Sequence, residues 1–506
     1  MESATPPTFS KMHPGGDIGE EDTLKLFTSH SPHQTDTLEQ KPGKKADDRG
    51  LEVIDTSRSP AMADIASMPE ILTTPVKTGP QKGITRGKAV IYLGLLLILV
   101  LNAIYAGYAQ FIGPQGWAFV IGGPANTRNN NLLATINNQL KHDYSLTARA
   151  TAQPTAQMTP QQYINLIVQN MTLDQKLGQM MIVQFLGPTY SLDISAMISQ
   201  YHVGAVLLFN ANNNIVDKVQ LKGLIQQVQS NSSIPLVVAI DQEGGTVDRL
   251  KALDGPRPSA AVIGGTNDPS MAMAAGIQDA HDLASYGFNL NLAPVVDVTD
   301  IYNPQLYDRT YGSNPALVTK MAQAYLKGLQ QSGKVLGTLK HFPGLGDVGI
   351  DPHSGEPNLY RSKSQLEAID WAPYRALIQQ DNVYAIMVTH EIVHALDDIK
   401  PSSLSYKVVT GILRDELGFQ GVILTDSLTM EGITAYYSEA QATAVAVEAG
   451  SDLLMGATTP AGVATMIQGI KEAMASGAIS QQRIDDSVRR ILMLKFEMGL
   501  FSIPAS

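Results

Sequence analysis

The sequence predicts an α/β protein built on a (β/α)8 TIM-type barrel, which follows a disordered N-terminal segment and one transmembrane helix. Three observations support this prediction. The first part of the chain has no sustained apolar period, a single long apolar run follows it, and eight short apolar runs then alternate with helical stretches. Parallel strands that are buried on both faces show such runs, and helices connect them. Eight units over roughly 350 residues fit a barrel with insertions.

Composition limits the class of protein. A chain of 506 residues can hold one large domain and accessory segments. The net charge of −11 provides no general basic surface, so nucleic acid is not expected as a partner. The sequence contains no cysteine, which excludes disulfides, thiolate metal sites, a Cys nucleophile and a lipidated N-terminal Cys.

The N-terminal region predicts a membrane anchor. Residues 1–88 are predicted to be disordered, because they offer too little apolar surface to form a core. Residues 89–111 form an apolar run, and about 20 such residues cross a bilayer as a helix. Because a long segment precedes this run, we interpret it as an uncleaved signal anchor rather than a cleaved signal peptide. The basic cluster before it then places residues 1–88 in the cytoplasm and the rest of the chain outside the cell membrane.

The remaining chain divides into a stalk and a barrel domain. Residues 112–155 are rich in Asn, Thr, Ala and Gln and are predicted to form a linker, and residues 156–506 form the barrel domain. The predicted strands are GQMMIVQF (178–185), GAVLLF (204–209), PLVVAI (235–240), NLNLAPVVDV (289–298), KVLGTL (334–339), YAIMVTH (384–390), GVILTD (421–426) and SDLLMG (451–456). An amphipathic helix with Ser480 as its N-cap is predicted over residues 479–495. A doubly wound open sheet is the main alternative, although it usually has fewer strands and a Gly-rich first turn.

Polar and charged side chains accumulate just beyond the predicted strands, where barrel enzymes build their sites. The stretches are DQEGGTVDRL (241–250), NPQLYDRTYG (303–312), KHFPGLGDVGIDPHSGEP (340–357) and TDSLTM (425–430), together with Asp297 and His390. The Gly and Pro residues of the third stretch predict an irregular loop. In a barrel without a site, such groups would scatter over the outer helices. Their convergence predicts a polar pocket for a polyhydroxylated ligand.

Several long motifs resemble the N-terminal barrel of glycoside hydrolase family 3, and in particular the bacterial single-domain β-N-acetylhexosaminidases. They are MTLDQKLGQM, DQEGGTVDRL, LAPVVDV, KHFPGLGD with DPH, and LSYKVVTGILRDELGFQGVILTDSLTM. The resemblance covers roughly residues 160–500, and the order of the motifs makes it specific. It implies exo-acting release of terminal β-linked N-acetylglucosamine from peptidoglycan fragments or chitin-type oligosaccharides, with no metal site and no cofactor.

The resemblance assigns Asp426 as the catalytic nucleophile, which attacks the anomeric carbon and forms a covalent glycosyl-enzyme. From the residues alone, a helix N-cap is an equal alternative, because the sequence that follows predicts a helix.

The resemblance also assigns the general acid/base to Asp351 and His353. Residues two apart in an extended segment point to the same side, and Pro352 favours extended geometry at Asp351. The carboxylate would orient the imidazole and stabilise its cationic form. A simple turn with an exposed histidine is the alternative.

The same resemblance implies that four further side chains bind the sugar: Asp241, Arg309, Lys340 and His341. Asp241 would accept hydrogen bonds from hydroxyls, and the other three would donate them. A loop cap for Asp241 and an ion pair with Asp308 for Arg309 are the structural alternatives. For His390, the alternative is a core histidine whose hydrogen bonds are made within the protein.

Four residues depart from the family pattern: Thr246, Leu345, Pro352 and Ser427. They stand in motifs that usually read EGGR, KHFPGHGD, DSH and TDDL. None removes a proposed catalytic group. Thr246 and Leu345 put the leaving-group specificity in question, and Pro352 stiffens a loop that is expected to move, which predicts lower turnover.

Three other functions stay open on the sequence. A β-glucosidase or β-xylosidase of the same family would share the fold and the nucleophile, although the pair Asp351 and His353 argues against it. A Schiff-base aldolase would use Lys340, although its neighbours suit hydroxyl binding. The third is a catalytically inactive surface carbohydrate-binding module.

Overall fold

Eight parallel strands close into a barrel, which confirms the predicted fold of this domain. The computed structural model describes residues 132–151, 158–299, 301–348, 355, 357–380 and 382–504. The barrel strands are β1 Met181–Val183, β2 Ala205–Leu207, β3 Val237–Ile240, β4 Leu290–Asn291, β5 Leu336–Phe342, β6 Ala385–Val388, β7 Val422–Ser427 and β8 Leu453–Met455. Each strand pairs with its neighbours in sequence, and β8 pairs with β1 to complete the ring.

Helices surround the barrel. They are α1 Leu132–Thr151, α2 Pro160–Asn170, α3 Leu173–Gln179, α4 Leu192–Ser199, α5 Lys218–Ser230, α6 Lys251–Asp254, α7 Ala260–Gly265, α8 Pro269–Tyr286, α9 Pro315–Leu329, α10 Lys363–Ala368, α11 Trp371–Ile378, α12 Glu431–Thr434, α13 Glu439–Ala449, α14 Pro460–Ala475 and α15 Gln481–Glu497, with a π-helix at Lys407–Glu416 and 3-10 turns at Asn210–Asn212 and Ser402–Leu404. Side-chain caps start many of them; the Asn314 side chain, for example, precedes Pro315 and accepts hydrogen bonds from the backbone amides of Ala316 and Leu317.

Two small sheets lie outside the barrel ring. Gln242–Gly244 pairs with Val247–Asp248 as an antiparallel hairpin directly after β3. Asn358–Leu359 pairs in parallel with Ile392–Val393, which joins the segments that follow β5 and β6.

The barrel strands are buried on both faces. Every residue of β1, β2 and β3 is buried, which agrees with their continuous apolar sequences. The final helix follows its prediction closely. The Ser480 hydroxyl accepts a hydrogen bond from the Arg483 amide at 3.1 Å, and Ile484 and Val488 are fully buried. Its observed bounds are shifted by two residues from the predicted ones.

All eight strands differ from their predicted limits, and for β5 and β4 the hydrogen bonding shows the local reason. β5 was expected to end at residue 339, but it continues to Phe342 because both neighbouring segments extend the hydrogen-bonding ladder. Val296 donates to the Lys340 carbonyl at 2.8 Å, and Thr389 donates to the Phe342 carbonyl at 3.0 Å. The opening of the predicted loop therefore belongs to the barrel wall. β4 contains only Leu290–Asn291 instead of residues 289–298, since Pro294 has no amide proton for the ladder.

Helix α1 lies within the segment that was predicted as a stalk. Leu133, Ile136 and Leu140 are buried at helical spacing, and the Tyr163 hydroxyl of α2 donates to the Asn137 side chain at 2.5 Å. The predicted disordered segment, residues 1–88, and the predicted membrane span, residues 89–111, lie outside the described residues. Among the helices that are described, none combines the length and apolar character needed to span a bilayer.

Candidate active site

A charged cluster occupies the barrel end at which β3, β4 and β5 terminate. The Lys340 Nζ atom lies 2.7 Å from Asp241 Oδ1 and 2.6 Å from Glu243 Oε1. Lys340 comes from β5, and both carboxylates follow β3. Asp241 therefore forms an ion pair with Lys340 and does not act only as the cap of a loop. Two of the four predicted sugar-binding residues are thus in direct contact.

Glu243 is the centre of this cluster. Its side chain is 3% exposed, and its two oxygens accept hydrogen bonds from Arg309 Nε and Nη2 at 2.7 and 2.9 Å. Burial alone would raise the pKa of Glu243, but the adjacent Lys340 ammonium and Arg309 guanidinium outweigh burial and hold this pKa well below its usual range. Glu243 was not among the site residues predicted from the sequence. Glu243 is two residues from Asp241, and residues two apart in an extended segment point to the same side. This spacing could have placed Glu243 in the same site as Asp241.

The two cations of the cluster stay charged. Burial would lower the pKa of Lys340, but the carboxylates of Asp241 and Glu243 raise it above its usual value. The same balance raises the pKa of Arg309, with Glu243 as its main partner. Arg309 therefore pairs with Glu243 and not with Asp308, so the simple alternative for Arg309 is wrong.

His341 is oriented by a buried aspartate. His341 Nδ1 lies 2.7 Å from Asp297 Oδ2, and Asp297 Oδ1 accepts a hydrogen bond from the Leu345 amide at 2.8 Å. We assign Nδ1 as the donor in this contact, because a carboxylate oxygen accepts hydrogen bonds. Nε2 then points toward the cluster, 3.4 Å from Arg309 Nη2. All four predicted sugar-binding residues meet in one connected network.

Asp426 is the penultimate residue of β7 and is half-buried. Its Oδ1 atom accepts a hydrogen bond from the Ser427 amide at 2.8 Å. Helix α12 begins only at Glu431, and Met430 occupies its N-cap position. The helix-cap alternative for Asp426 is therefore wrong. Since all barrel strands are parallel, this carboxyl group lies at the same barrel end as the charged cluster.

The predicted acid/base residues Asp351 and His353 lie outside the described residues, as does Pro352. The flanks of their segment are held in place. On one side, the Asn303 side-chain amide donates to the carbonyls of Leu345 and Val348 at 3.0 and 2.9 Å. On the other side, Arg361 pairs with Asp347 and Asp370 at 3.2 and 2.9 Å. The acid/base assignment stays a prediction.

The departures from the family pattern have local partners. The amide and hydroxyl of Thr246 both donate to the Asp308 carboxylate, at 2.9 and 2.5 Å, and so join the hairpin after β3 to the segment after β4. Leu345 is buried within the hydrophobic core. The hydroxyls of Ser427 and Thr429 lie 2.8 Å apart.

His390 is a core histidine. It is fully buried, with Nδ1 2.8 Å from the Ser403 hydroxyl and Nε2 2.9 Å from the Ser427 carbonyl. These contacts agree with the core alternative that the sequence left open. The contact of Nε2 with the Ser427 carbonyl also helps to fix the position of the backbone next to Asp426.

Glu391 is a second acidic residue that the sequence analysis missed. It is fully buried, and among the described residues neither carboxyl oxygen has a hydrogen-bond partner. Burial raises the pKa of Glu391 well above its usual value, and the carboxylates of Asp297, Asp370 and Asp426 raise it further. Both causes favour the protonated, neutral form of Glu391. The position of Glu391 directly after an apolar strand could have identified it as a candidate site residue from the sequence.

Within the described part of the chain, no three His, Asp or Glu side chains are grouped so that they could hold a metal ion.

Comparisons with known proteins identify the class. The family model described as "Glycosyl hydrolase family 3 N terminal domain" matches residues 172–494. The chain belongs to this family, and its barrel is a glycoside hydrolase domain.

Individual relatives agree with this assignment. "Beta-hexosaminidase A" of Pseudoalteromonas piscicida is 32% identical over 331 residues, which are 60% of this chain and 55% of that protein. "Beta-hexosaminidase" of Tolumonas auensis is 34% identical over 280 residues, which are 55% of this chain and 82% of that protein. A solved family 3 β-N-acetylglucosaminidase from Paenibacillus sp. str. FPU-7 has a TM-score of 0.62 and 34% identity, and covers 66% of this chain and 64% of its own. The chain thus spans little more than half of the first relative. The resemblance to family 3 and its bacterial β-hexosaminidases is confirmed.

Proposed function

We propose that the protein is a retaining exo-β-N-acetylhexosaminidase that releases terminal N-acetylglucosamine from peptidoglycan fragments or chitooligosaccharides. The names of its relatives support this substrate class. The observation that carries the proposal is the buried cluster of Lys340, Arg309, Glu243 and Asp241 at the barrel end where Asp426 terminates β7.

The cluster is suited to hold the terminal sugar. Lys340 is fixed between Asp241 and Glu243 by two of its three donors, so within the described residues one donor remains for a sugar hydroxyl. Asp241 is more exposed than Glu243 and offers its carboxylate to a second hydroxyl. Hydrogen bonds to such charged groups contribute about 1.5–3 kcal/mol each.

The reaction follows the two-step retaining scheme. Asp426 attacks the anomeric carbon while the glycosidic carbon–oxygen bond breaks, and the departing oxygen receives a proton from the His353 imidazolium. His353, supported by Asp351, then removes a proton from water. The water oxygen attacks the anomeric carbon, and Asp426 leaves as a carboxylate. The configuration at the anomeric carbon is retained.

The structure disfavours the aldolase alternative. A Schiff-base lysine needs a lowered pKa so that its amine is neutral. The pKa of Lys340 is instead raised by two carboxylates within 2.7 Å of its Nζ atom.

The substrate class is tested with two chromogenic sugars. The wild-type protein is expected to cleave a 4-nitrophenyl β-N-acetylglucosaminide much faster than the matching glucoside. Preference for the glucoside would favour the β-glucosidase alternative. Asp426→Asn should lower kcat on the preferred sugar by about 1,000-fold or more while ligand binding survives. A wild-type protein that binds chitooligosaccharides without turning over either sugar would be a binding module, and the proposal would fail.

We also propose that residues 89–111 anchor the protein in the cell membrane, with the N-terminus in the cytoplasm and the catalytic barrel outside. The apolar run and the basic residues before it support this proposal.

A further inference from the structure

The segments that follow β5 and β6 present two aromatic rings side by side. The Ile392 amide donates to the Pro357 carbonyl at 2.8 Å, and the His394 amide donates to the Leu359 carbonyl at 3.1 Å. These bonds form the short parallel pair of Asn358–Leu359 with Ile392–Val393. Tyr360 and His394 directly follow the two paired stretches, so the ladder places them next to each other.

The two rings form a stacked platform. The ring centroids of Tyr360 and His394 are 4.6 Å apart, and the ring planes differ by 7°. His394 Nε2 lies 2.8 Å from Asn358 Oδ1, which fixes the orientation of the imidazole. Tyr360 is nevertheless 77% exposed, because only one of its faces is covered by the histidine.

The base of this platform is rigid. Leu359 and Arg361, on either side of Tyr360, are both buried, and Arg361 forms ion pairs with Asp347 and Asp370. Alternation along an extended segment directs Tyr360 outward when its neighbours point inward. A large aromatic face held outward by a fixed backbone is a preorganised contact surface, because little side-chain entropy is lost when a ligand binds it.

The chemistry of this surface suits a sugar ring. A pyranose presents a face of C–H groups, and the electron-rich face of an aromatic ring attracts such groups. Sites for small ligands combine aromatic walls with a few polar groups in the same way.

The position of the platform indicates which sugar it contacts. The groups proposed for the terminal sugar are deeply buried, with side-chain exposures of 3% for both Lys340 and Glu243. The platform is instead exposed, and the two segments that form it leave the barrel at the end where β5 and β6 terminate. In sequence, Tyr360 closely follows Asp351 and His353, the predicted proton donor. A general acid lies beside the glycosidic oxygen, and the leaving group extends beyond that oxygen.

We propose that Tyr360 and His394 form a leaving-group subsite, in which a second sugar of an oligosaccharide stacks on the exposed face of Tyr360. This inference rests on the proposed hydrolase function. In this proposal, the platform makes the enzyme prefer oligosaccharides to glycosides with a small leaving group.

The test compares two substrates in the full-length protein. Tri-N-acetylchitotriose has a leaving group of two sugars that can stack on the platform, whereas the leaving group of methyl β-N-acetylglucosaminide contains no sugar ring. Tyr360→Ala is expected to lower kcat/KM for the trisaccharide by roughly fivefold to tenfold, mainly through KM, because one aromatic contact is lost. The loss should be absent in Tyr360→Phe, which keeps the ring. Ile277→Ala, which truncates an exposed side chain of α8, is the matched control.

The outcomes separate the two proposals. A trisaccharide-specific loss in Tyr360→Ala supports the subsite, and the activity on the methyl glycoside shows that the variant is folded. An equal loss on both substrates, or no loss on either, overturns the subsite while wild-type turnover still supports the hydrolase. If the wild-type protein cleaves neither substrate, the hydrolase proposal fails and the subsite falls with it.

Discussion

At the scale of single residues, Glu243 determines how the charged pocket is held together. It is the shared partner of Lys340 and Arg309, and all three side chains are largely withdrawn from water. A buried ion pair contributes little net stability, but the removal of one partner leaves an uncompensated charge. The role of Glu243 is therefore to keep two cations of the proposed sugar-binding cluster in place.

Glu243→Gln is expected to lower the free energy of unfolding by about 3–5 kcal/mol, because two buried cations lose their shared anion. We also expect kcat/KM to fall, since Lys340 and Arg309 lose their fixed orientation. Urea unfolding and steady-state kinetics measure both effects. Glu367→Gln, on the partly exposed helix α10, is the control and should leave both unchanged. An unfolding free energy equal to that of the wild-type protein would contradict the role of Glu243.

Glu391 makes stability depend on pH. Burial raises the pKa of Glu391 above its usual value of 4.5, and Asp297, Asp370 and Asp426 act in the same direction. The folded state therefore keeps a proton that the unfolded state releases once the pH exceeds this usual value. Wild-type stability then falls as the pH rises, whereas an uncharged glutamine causes no such loss.

Glu391→Gln should therefore be nearly as stable as the wild-type protein near pH 4 and more stable near pH 8. Urea unfolding midpoints of both proteins, measured at the two pH values, provide the comparison. A difference that stays constant between the two values would show that Glu391 has the same pKa in the folded and unfolded states.

Much of the candidate site could be predicted from residues, but the burial and the partners of its two buried acids could not. Asp241, Lys340 and His341 stand directly after apolar runs, so barrel geometry brings them to one end. Arg309 lies further along its loop, and the sugar-binding role of all four residues came from the family resemblance. The functions of Glu243 and Glu391 depend on burial and on partners distant in sequence. An apolar pattern does not encode these properties.

At the scale of secondary-structure elements, Asp452 joins the last part of the barrel to its outer helices. It precedes β8, is fully buried, and lies 2.7, 3.4 and 3.1 Å from the guanidinium groups of Arg414, Arg483 and Arg490. Burial alone would raise the pKa of Asp452, but the three guanidinium groups outweigh it and lower the pKa. One carboxylate thus connects β8 with the π-helix and α15.

Asp452→Asn is expected to destabilise the fold by about 3–5 kcal/mol, because three partly buried arginines lose their only shared anion among the described residues. Urea unfolding measures this change. Asp486→Asn, which removes a half-exposed partner of Arg489 on α15, is the matched control and should cost at most about 1 kcal/mol. Equal effects of the two substitutions would contradict the role of Asp452.

The existence of all eight barrel strands could be predicted, whereas their limits could not. Apolar runs mark buried strands, but the extent of a strand depends on which neighbours supply hydrogen bonds. Val296 and Thr389 extend β5 through Lys340 and into the site. Val296 follows β4 and Thr389 follows β6, so the sequence of β5 contains no sign of these donors.

At the scale of the whole molecule, the proposed anchor decides where the barrel works. Residues 89–111 are expected to retain the full-length protein in the membrane fraction, because they provide an apolar run of sufficient length. Deletion of these residues should release active protein into the soluble fraction. Deletion of residues 30–52, a segment of equal length, is the control and should leave the protein with the membranes. Full-length protein in the soluble fraction would contradict the anchor.

At the catalytic step, Asp426 is proposed to form a covalent bond with the sugar. A 5-fluoro N-acetylglucosaminyl fluoride slows both the formation and the hydrolysis of a glycosyl-enzyme, but its good leaving group lets the intermediate accumulate. After incubation with this compound and proteolysis, mass spectrometry of the peptides should locate one fluorinated sugar on Asp426, and Asp426→Asn should remain unlabelled. A label on another carboxylate, or turnover of the compound without any label, would contradict the proposed covalent intermediate on Asp426.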